Sequence, residues 1–500
     1  MKKILNTAQI READKFTIEH ESITSIDLME RAAKAFAKKY VKQFSASRPV
    51  KIFCGPGNNG GDGLAIARLL HKKRYTIQVY ILQNNSGFSD DFILNEQKLK
   101  NKNRIPLHYI TDCIFPTLQE NDVVIDALWG SGLSKQITGL AENLVKHINE
   151  HKSTTVSVDI PSGMYANIPT TGTAIQADFT YTFESPKLGF LFAENYEYVG
   201  EWKVLDIGLT PTFLDEINAS HFLIQEDDIR NILRTRKKFD HKGKFGHALI
   251  VAGSAGKIGA ALLCSSACLQ SGAGLVTAHI PRIGNNILQT GLPDAMITLD
   301  NHENMITKIP IAENYSAIGI GSGIGIQSLT QQAFINLLSR YRKPMVIDAD
   351  AINILSLNKG WLEYIPKGSI FTPHIKEFER LFGKSSNSFD RIKKQQELSI
   401  THKLIIILKG AYSSISTPEG IVYFNPTGNP GMAKGGSGDV LTGIITAFLS
   451  QGYTSEQAAI AGVYLHGLAG NLALKNKTNY NITASDQIQH IANAFKKILS

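Results

Sequence analysis

The stretch that decides the fold runs from Val50 to Gly63 and reads VKIFCGPGNNGGDG. The residues Val50 to Cys54 are typical of a buried strand, and the glycine-rich loop after them leads into a helical pattern from Leu64 to about Lys73. Glycine lets a backbone approach a ligand closely, and the amides at the start of a helix favour a phosphate group. The stretch therefore predicts a strand, a ligand-binding turn and a helix in succession.

The same alternation continues on the C-terminal side of this unit. Further strands are predicted at Thr76–Leu82, Val123–Leu128 and Thr155–Val158, and a helix at Leu140–Asn149. Strands that alternate with helices predict a parallel sheet with helices on both faces. Because ligands of such sheets bind at the carboxyl ends of the strands, we expect a site there.

The second half of the chain restarts this pattern after a polar, irregular segment at residues 211–240. A hairpin is predicted where two short strand-like segments, 413–417 and 421–424, flank Pro418-Glu419-Gly420. We therefore predict an α/β protein of two three-layer α/β/α domains, residues 1–220 and 221–500. The strands predicted for the second domain are Ala248–Ala252, Leu275–Ile280, Ala317–Ile320, Met345–Ile347 and Leu404–Leu408.

Composition narrows the classes of protein that the chain can represent. Its 500 residues are 43% hydrophobic and 19% charged, as in an ordinary globular protein. The net charge of +8 is spread out without a basic block, which argues against nucleic-acid binding. The four cysteines are too few for a disulfide framework, and apolar runs such as Leu404–Leu408 are too short to cross a bilayer. We expect a cytoplasmic protein without a membrane partner.

Two aspartates at strand ends mark a candidate site in the first domain. Asp126 and Asp159 each end a predicted buried strand, where a carboxylate is costly unless it is paired, hydrogen-bonded or bound to a cation. With Asn59 and Ser162 they offer only oxygen ligands, which suits a hard cation, although either aspartate alone could simply cap a helix. Lys187 could carry a proton if it is buried, or could be an ordinary surface lysine.

Four motifs of this half together resemble the NAD(P)H-hydrate epimerase family: GPGNNGGDG (55–63), DALWGSGL (126–133), DIPSG (159–163) and TFESPKLGF (182–190). The resemblance implies a Rossmann-like domain that binds potassium through Asn59, Asp126 and Ser162. It also implies that Asp159 contacts the substrate and shares the proton chemistry. Lys187 stays a catalytic candidate on the reasoning from its residue type. The substrate-binding residues it implies are Asn58, Asn59, Gly60, Gly61, Asp62, Gly130, Ser131, Gly132, Leu133, Ser134, Lys135, Gln136 and Asp159.

A second glycine-rich loop, NPGMAKGGSGD, occupies residues 429–439 and opens a helix predicted to reach about Leu449. The amides at this helix start could stabilise a phosphoryl group during transfer, and Asp439 could take a proton from an attacking hydroxyl. The alternative is an aspartate that only complements the helix dipole. We expect Lys434 to add a charge close to the phosphate, and Glu377 to hold a hydrated Mg²⁺.

This loop, together with DADA (348–351), TPH (372–374) and HKGKFGHALIVAGS (241–254), resembles the ribokinase superfamily. Within it, the motifs resemble the ADP/ATP-dependent NAD(P)H-hydrate dehydratases. The resemblance implies that Ala260, Gly323, His374 and Asp439 bind the hydrated dinucleotide, and that Asp439 is the base. The residues it implies for the adenine nucleotide are Lys409, Gly410, Ala411, Tyr412, Ser413 and Gly438.

Together the two resemblances imply one polypeptide with two consecutive reactions on one metabolite. The first domain would interconvert the R and S hydrates of NADH and NADPH. The second would use ADP or ATP with Mg²⁺ to dehydrate the S hydrate to NAD(P)H, with AMP and phosphate as the products from ADP. The alternative is a ribokinase-like small-molecule kinase with a non-catalytic N-terminal binding module. We expect small-molecule partners and a homo-oligomer.

Overall fold

The computed structural model describes residues 1–83, 87–102, 105–310 and 314–500. The chain divides into an N-terminal unit, residues 3–219 with 387–389, and a C-terminal unit, residues 1–2, 220–386 and 390–500. The strands are β1 (Lys2–Lys3), β2 (Val50–Cys54), β3 (Ile77–Leu82), β4 (Leu107–Ile110), β5 (Val123–Ala127), β6 (Thr154–Val158), β7 (Phe179–Phe183), β8 (Glu201–Leu205), β9 (His221–Leu223), β10 (His247–Val251), β11 (Leu275–Ile280), β12 (Met296–Leu299), β13 (Ala317–Ile320), β14 (Val346–Ile347), β15 (Ile370–Phe371), β16 (Ile405–Leu408), β17 (Ser414–Ser416) and β18 (Val422–Phe424). The α-helices are α1 (Thr7–His20), α2 (Ser25–Gln43), α3 (Asn58–Lys72), α4 (Asp90–Lys102), α5 (Leu140–Asn149), α6 (Tyr196–Val199), α7 (Pro211–Glu216), α8 (Glu226–Ile232), α9 (Ile258–Gln270), α10 (Asn285–Gly291), α11 (Ser328–Leu338), α12 (Ala349–Leu357), α13 (Ile375–Phe382), α14 (Ser388–His402), α15 (Ser437–Ser450), α16 (Ser455–Ala473) and α17 (Ala484–Leu499).

The N-terminal unit is built on a seven-stranded sheet in the order β4-β3-β2-β5-β6-β7-β8, with every neighbouring pair parallel. Successive side chains of a strand point to opposite faces, and β2 shows the consequence. Ile52 packs into the core beneath α2 and α3, whereas Phe53 packs into the core beneath α5. Helices therefore cover both faces, and the predicted three-layer parallel α/β arrangement is confirmed.

The glycines of the first loop serve close packing within the protein. Helix α3 begins at Asn58, so the predicted start at Leu64 is wrong, and the loop glycines lie inside its first turns. A Cβ on Gly60 would stand 1.8 Å from the carbonyl oxygen of Gly55, and one on Gly63 would stand 2.7 Å from Ala127 Cβ. These glycines let the helix lie directly against β2 and β5. Their low helix propensity explains why the sequence pattern indicates a loop here.

The C-terminal unit contains a larger sheet, which runs from β9 to β12 in the order β9-β18-β17-β16-β15-β14-β13-β10-β11-β12. Its pairs are parallel, apart from the antiparallel pairs β16–β17 and β17–β18. The predicted hairpin is thus confirmed as β17 and β18. Side chains alternate again: Leu249 and Val251 face one core, and Ala248 and Ile250 face the other. In the described part of the chain, every helix is too short or too polar to cross a membrane.

Candidate functional sites

A cavity of about 590 Å³ opens beside the carboxyl ends of the central strands of the N-terminal unit. Its wall includes residues that follow β5, β6 and β7, the first turns of α3, and one side of α1. Gly60 and Gly61, buried in α3, and Gln136, which packs against Gly172, do not line it. The predicted site residues that do line it are Asn58, Asn59, Asp62, Gly130, Ser131, Gly132, Leu133, Ser134, Lys135, Asp159 and Lys187.

An ion pair between Lys187 and Asp159 forms part of this wall. Lys187 Nζ lies 2.8 Å from Asp159 Oδ1, and only 1% of the lysine side chain is exposed. The ammonium also donates to the carbonyl oxygens of Phe183 and Ser185, both at 3.3 Å. Asp159 has a φ of +65°, in the left-handed region that is strained for a residue with a side chain. Lys187 is therefore buried beside a carboxylate, which excludes the surface-lysine alternative.

Two of the predicted cation ligands, Asp126 and Ser162, are buried and hydrogen-bonded to each other, whereas the third, Asn59, lines the cavity. Asp126, fully buried, accepts hydrogen bonds from Ser157 Oγ (2.8 Å), Ser162 N (2.9 Å), Ser162 Oγ (2.5 Å) and Leu128 N (3.2 Å). Burial raises the pKa of Asp126, while the hydrogen bonds from Ser162 oppose the rise. The amide nitrogen of Asn59 is buried without a hydrogen-bond partner in the described chain, and turning this amide over would place its oxygen there instead. An amide without a partner, together with the oxygens of Asp126 and Ser162, fits an oxygen-coordinated cation.

Two further carboxyl groups of the cavity are shifted towards the protonated state. Burial, followed by the charges of Asp159 and Asp14, raises the pKa of Asp62 well above its usual value. Burial, followed by the charge of Asp159, raises the pKa of Asp14 to about 6, and Lys187 opposes this rise. Asp14 lies on α1, where the sequence pattern shows only a polar position of an amphipathic helix. Asp14 is not among the predicted site residues, because no motif marks it.

The C-terminal candidate site centres on the start of α15. Gly436, the residue that caps this helix, has a φ of +90°, and Asp439 lies in the first turn. Burial raises the pKa of Asp439 to about 6; the nearby Asp348 adds to the rise, whereas Ser322 and Lys409 oppose it. A Cβ on Gly438 would stand 3.4 Å from Lys409 Nζ. The structure therefore brings together the glycine loop, a carboxyl that titrates near neutrality and a lysine.

The buried carboxylate of Asp348 connects three elements of this site by hydrogen bonds. It is 1% exposed and accepts hydrogen bonds from Lys409 Nζ (3.0 Å), Thr372 Oγ1 (2.7 Å) and Thr442 Oγ1 (2.9 Å). These donors come from the ends of β16 and β15 and from α15. Charge-assisted hydrogen bonds of this kind are stronger than neutral ones. The first Asp of the DADA motif thus fixes the lysine that the sequence analysis assigned to the nucleotide.

His374 and Glu377 form a reciprocal cap at the start of α13. His374 N donates to Glu377 Oε2 (2.8 Å), and Glu377 N donates to His374 Nδ1 (3.1 Å). Glu377 Oε2 also lies 4.0 Å from Lys409 Nζ. No cluster of three or more His, Cys, Asp or Glu suited to a metal occurs in residues 1–83, 87–102, 105–310 and 314–500. Both carboxylate oxygens of Glu377 have a neighbour, since Oε1 lies 3.5 Å from His374 Nε2, which fits a hydrated Mg²⁺ better than one bound directly.

The remaining predicted residues of this site lie as follows. Ala260 and Gly323 are neighbours, because a Cβ on Gly323 would stand 3.1 Å from Ala260 Cβ. Gly410, Ala411, Tyr412 and Ser413 form the turn between β16 and β17, in which Ser413 Oγ bonds the backbone of Gly410. Lys434 Nζ donates to the carbonyl oxygen of Tyr480 at 2.5 Å. The backbone of a second loop therefore holds Lys434, which the sequence analysis expected close to the phosphate.

Comparison with known proteins identifies both halves of the chain. One family model, described as "YjeF-related protein N-terminus", matches residues 25–189, and another, described as "NAD(P)H-hydrate dehydratase", matches residues 248–493. A solved structure, the ADP/ATP-dependent NAD(P)H-hydrate dehydratase from Bacillus subtilis co-crystallised with ATP and Mg²⁺, is 30% identical to this chain. The match covers 55% of this chain and 97% of the solved chain, with a TM-score of 0.49.

Two curated relatives match along nearly the whole chain. The bifunctional NAD(P)H-hydrate repair enzyme Nnr of Moorella thermoacetica is 34% identical, with 98% of this chain and 96% of the relative covered. The enzyme of the same description from Thermofilum pendens is 31% identical, with 99% and 97% covered. The family resemblance stated from the motifs is confirmed: this chain belongs to the bifunctional NAD(P)H-hydrate repair enzyme family.

Proposed function

We propose that this chain repairs hydrated NADH and NADPH in two steps. A first domain, residues 1–220, interconverts the R and S hydrates, and a second domain, residues 221–500, uses ADP to convert the S hydrate to NAD(P)H with AMP and phosphate as products. The observation that carries the proposal is the similarity along 98% of the chain to a bifunctional repair enzyme. The cavity beside Asp159 and Lys187, and the loop before Asp439, each supply suitable chemistry.

In the dehydratase step, Asp439 takes the proton from the hydroxyl of the S hydrate. The oxygen attacks the terminal phosphorus of ADP, and the bond to AMP breaks. The carbon–oxygen bond then breaks, and phosphate leaves with the bonding electrons. The neighbouring carbon loses a proton, and the double bond of the ring forms again. Gly438 N–H and Lys409 neutralise the phosphoryl group. When bound, Mg²⁺ would neutralise phosphate charge, and Glu377 would hold it through water.

In the epimerase step, the cavity binds the hydrated nicotinamide ring against the ion pair of Asp159 and Lys187. Asp159 exchanges a proton with the substrate, and Lys187 holds the carboxylate in place. Asn59, Asp126 and Ser162 would hold potassium, which when bound supplies positive charge next to the substrate. The predicted substrate residues that line the cavity, Asn58, Asn59, Asp62 and those from Gly130 to Lys135, give polar groups for the rest of the dinucleotide.

The test supplies the R and S hydrates of NADH separately, with ADP and Mg²⁺, and follows the return of absorbance at the reduced-nicotinamide band. We expect the wild type to convert both hydrates, Asp159→Asn to convert only the S hydrate, and Asp439→Asn to convert neither. Return of absorbance from neither hydrate, with turnover of a sugar or pyrimidine alcohol, would support the kinase alternative. Unchanged conversion of the R hydrate by Asp159→Asn would support the binding-module alternative.

Three finer features belong to the same proposal. ADP is the phosphoryl donor, which parallel assays with ATP will check. The protein assembles as a homo-oligomer, which light scattering after gel filtration will check. It acts in the cytoplasm, where NADH and NADPH turn over, and fractionation of cells that carry the tagged protein will check this.

A further inference from the structure

Asp14 contributes a carboxyl group to the N-terminal cavity from the side of α1. The helix is fixed at both ends. Asn6 and Gln9 form a reciprocal cap at its start, and Thr17 Oγ1 accepts a hydrogen bond from Thr210 N (3.0 Å) near its end. The backbone that carries Asp14 is therefore held in position, and the carboxyl group is a fixed part of the cavity wall.

The surroundings of Asp14 differ from those of the other carboxylates nearby. Asp126 accepts four hydrogen bonds, and Asp159 accepts bonds from Thr182 Oγ1 and Phe183 N in addition to its ion pair with Lys187. In residues 1–83, 87–102, 105–310 and 314–500, no hydrogen-bond or ion-pair partner of the Asp14 carboxyl is found. A half-buried carboxyl group that faces a ligand cavity and has no structural partner is a candidate for proton transfer to or from the ligand.

The charged groups around Asp14 come from four elements. Asp159 follows β6, and Glu184 and Lys187 follow β7. Asp62 lies on α3 and Arg11 lies one turn earlier on α1, and both line the cavity. Burial is the first cause that raises the pKa of Asp14 to about 6; the negative charges of Asp159 and Glu184 add to the rise, and the ammonium of Lys187 opposes it. Both protonation states of Asp14 are therefore populated near pH 6.

We propose that Asp14 is a second acid–base residue of the epimerisation, working together with Asp159 on the hydrated carbon; this inference rests on the proposed epimerase function. The reacting carbon carries a hydroxyl and is bonded to the ring nitrogen. Protonated Asp14 gives its proton to the hydroxyl, the carbon–oxygen bond breaks with release of water, and the nitrogen lone pair forms a carbon–nitrogen double bond. A second water adds to the opposite face and gives its proton to Asp159. In the reverse direction the two carboxyl groups exchange roles, so inversion needs both.

The test compares Asp14→Asn with Glu12→Gln, an exposed position on the same helix that does not line the cavity. For Asp14→Asn, we expect kcat for consumption of the R hydrate to fall at least about 100-fold, with KM little changed. The loss of rate as the pH rises through about 6, where Asp14 gives up the proton that it donates, should disappear, and Asp14→Glu should recover part of the rate. Dehydration of the S hydrate should stay unchanged in all three variants, which confirms that the C-terminal unit is folded, and the rate recovered by Asp14→Glu reports on the N-terminal unit.

Two results would overturn the inference while leaving the epimerase function standing: wild-type kcat in Asp14→Asn, or wild-type turnover in ¹⁸O-labelled water without label in the product hydroxyl. The label experiment needs no variant and so covers the case in which Asp14→Asn fails to fold. A wild-type protein that does not interconvert the hydrates at all would instead overturn the proposed function.

Discussion

The sharpest prediction concerns the ionisation of Asp439. The base must be ionised to accept the hydroxyl proton, so activity is present above its pKa and is lost as the pH falls through it. With a pKa of about 6, about 97% of Asp439 is ionised at pH 7.5 and about 24% at pH 5.5. We therefore expect kcat/KM for the S hydrate to fall about fourfold between these two values. Asp439→Asn should lose about 100-fold to 10,000-fold in turnover at every pH and keep its affinity for ADP.

The assay follows absorbance recovery from the S hydrate, with ADP affinity measured at each pH by calorimetry so that titration of the nucleotide can be subtracted. Asp294→Asn, an exposed aspartate of the same unit, is the matched control and should keep the wild-type profile. A flat profile between pH 5.5 and 7.5 would refute the assigned ionisation. Turnover by Asp439→Asn within tenfold of wild type would refute its role as base.

The remaining predictions concern the N-terminal unit. Lys187→Met removes the ammonium 2.8 Å from Asp159, and we expect epimerisation to fall about 100-fold while dehydration persists; equal loss of both activities would indicate misfolding instead. Gly60→Ala forces a Cβ to 1.8 Å from a carbonyl oxygen and should lower the free energy of unfolding in urea by more than about 2 kcal/mol. Gly57→Ala, with open space around it, should change the same quantity by less than about 0.5 kcal/mol, and similar losses in both would contradict the packing argument. Potassium should raise the thermal midpoint of the N-terminal transition in wild type but not in Asp126→Asn; an equal rise in both would place the ion elsewhere.

Much of the architecture follows from the sequence pattern, because parallel strands buried on both faces read as short apolar runs between helices. The pattern indicates β2, β3, β5 and β6, but β4, β7 and β8 are not among the predicted strands. Phe179–Phe183 alternates aromatic residues with threonines, and Glu201–Leu205 lies at the sheet edge with only partial burial. Edge strands carry a weaker apolar signal, so sequence alone underestimates the width of the sheet.

Side-chain environment is the part that the sequence could not supply. Whether Lys187 is buried depends on the path of the chain after β7, and nothing local distinguishes it from a surface lysine. Asp14 acquires its environment only when α1 meets residues that stand more than a hundred positions further along. The direction in which the Lys434 side chain points depends in the same way on the distant loop at Tyr480, whose carbonyl oxygen accepts its hydrogen bond. Motifs locate the chemistry along the chain, whereas tertiary contacts decide which charges face one another.

The buried carboxylate of Asp348 has a consequence for how the second site responds to heat. Its three donors come from two strand ends and from α15, and each donor would lose this partner if its own element moved away from Asp348. Lys409 and the helix that carries Asp439 therefore cannot loosen gradually while the surrounding sheet stays intact. Catalysis and the fold should fail at the same temperature, without the earlier loss of activity that is common when a site is carried by loose loops.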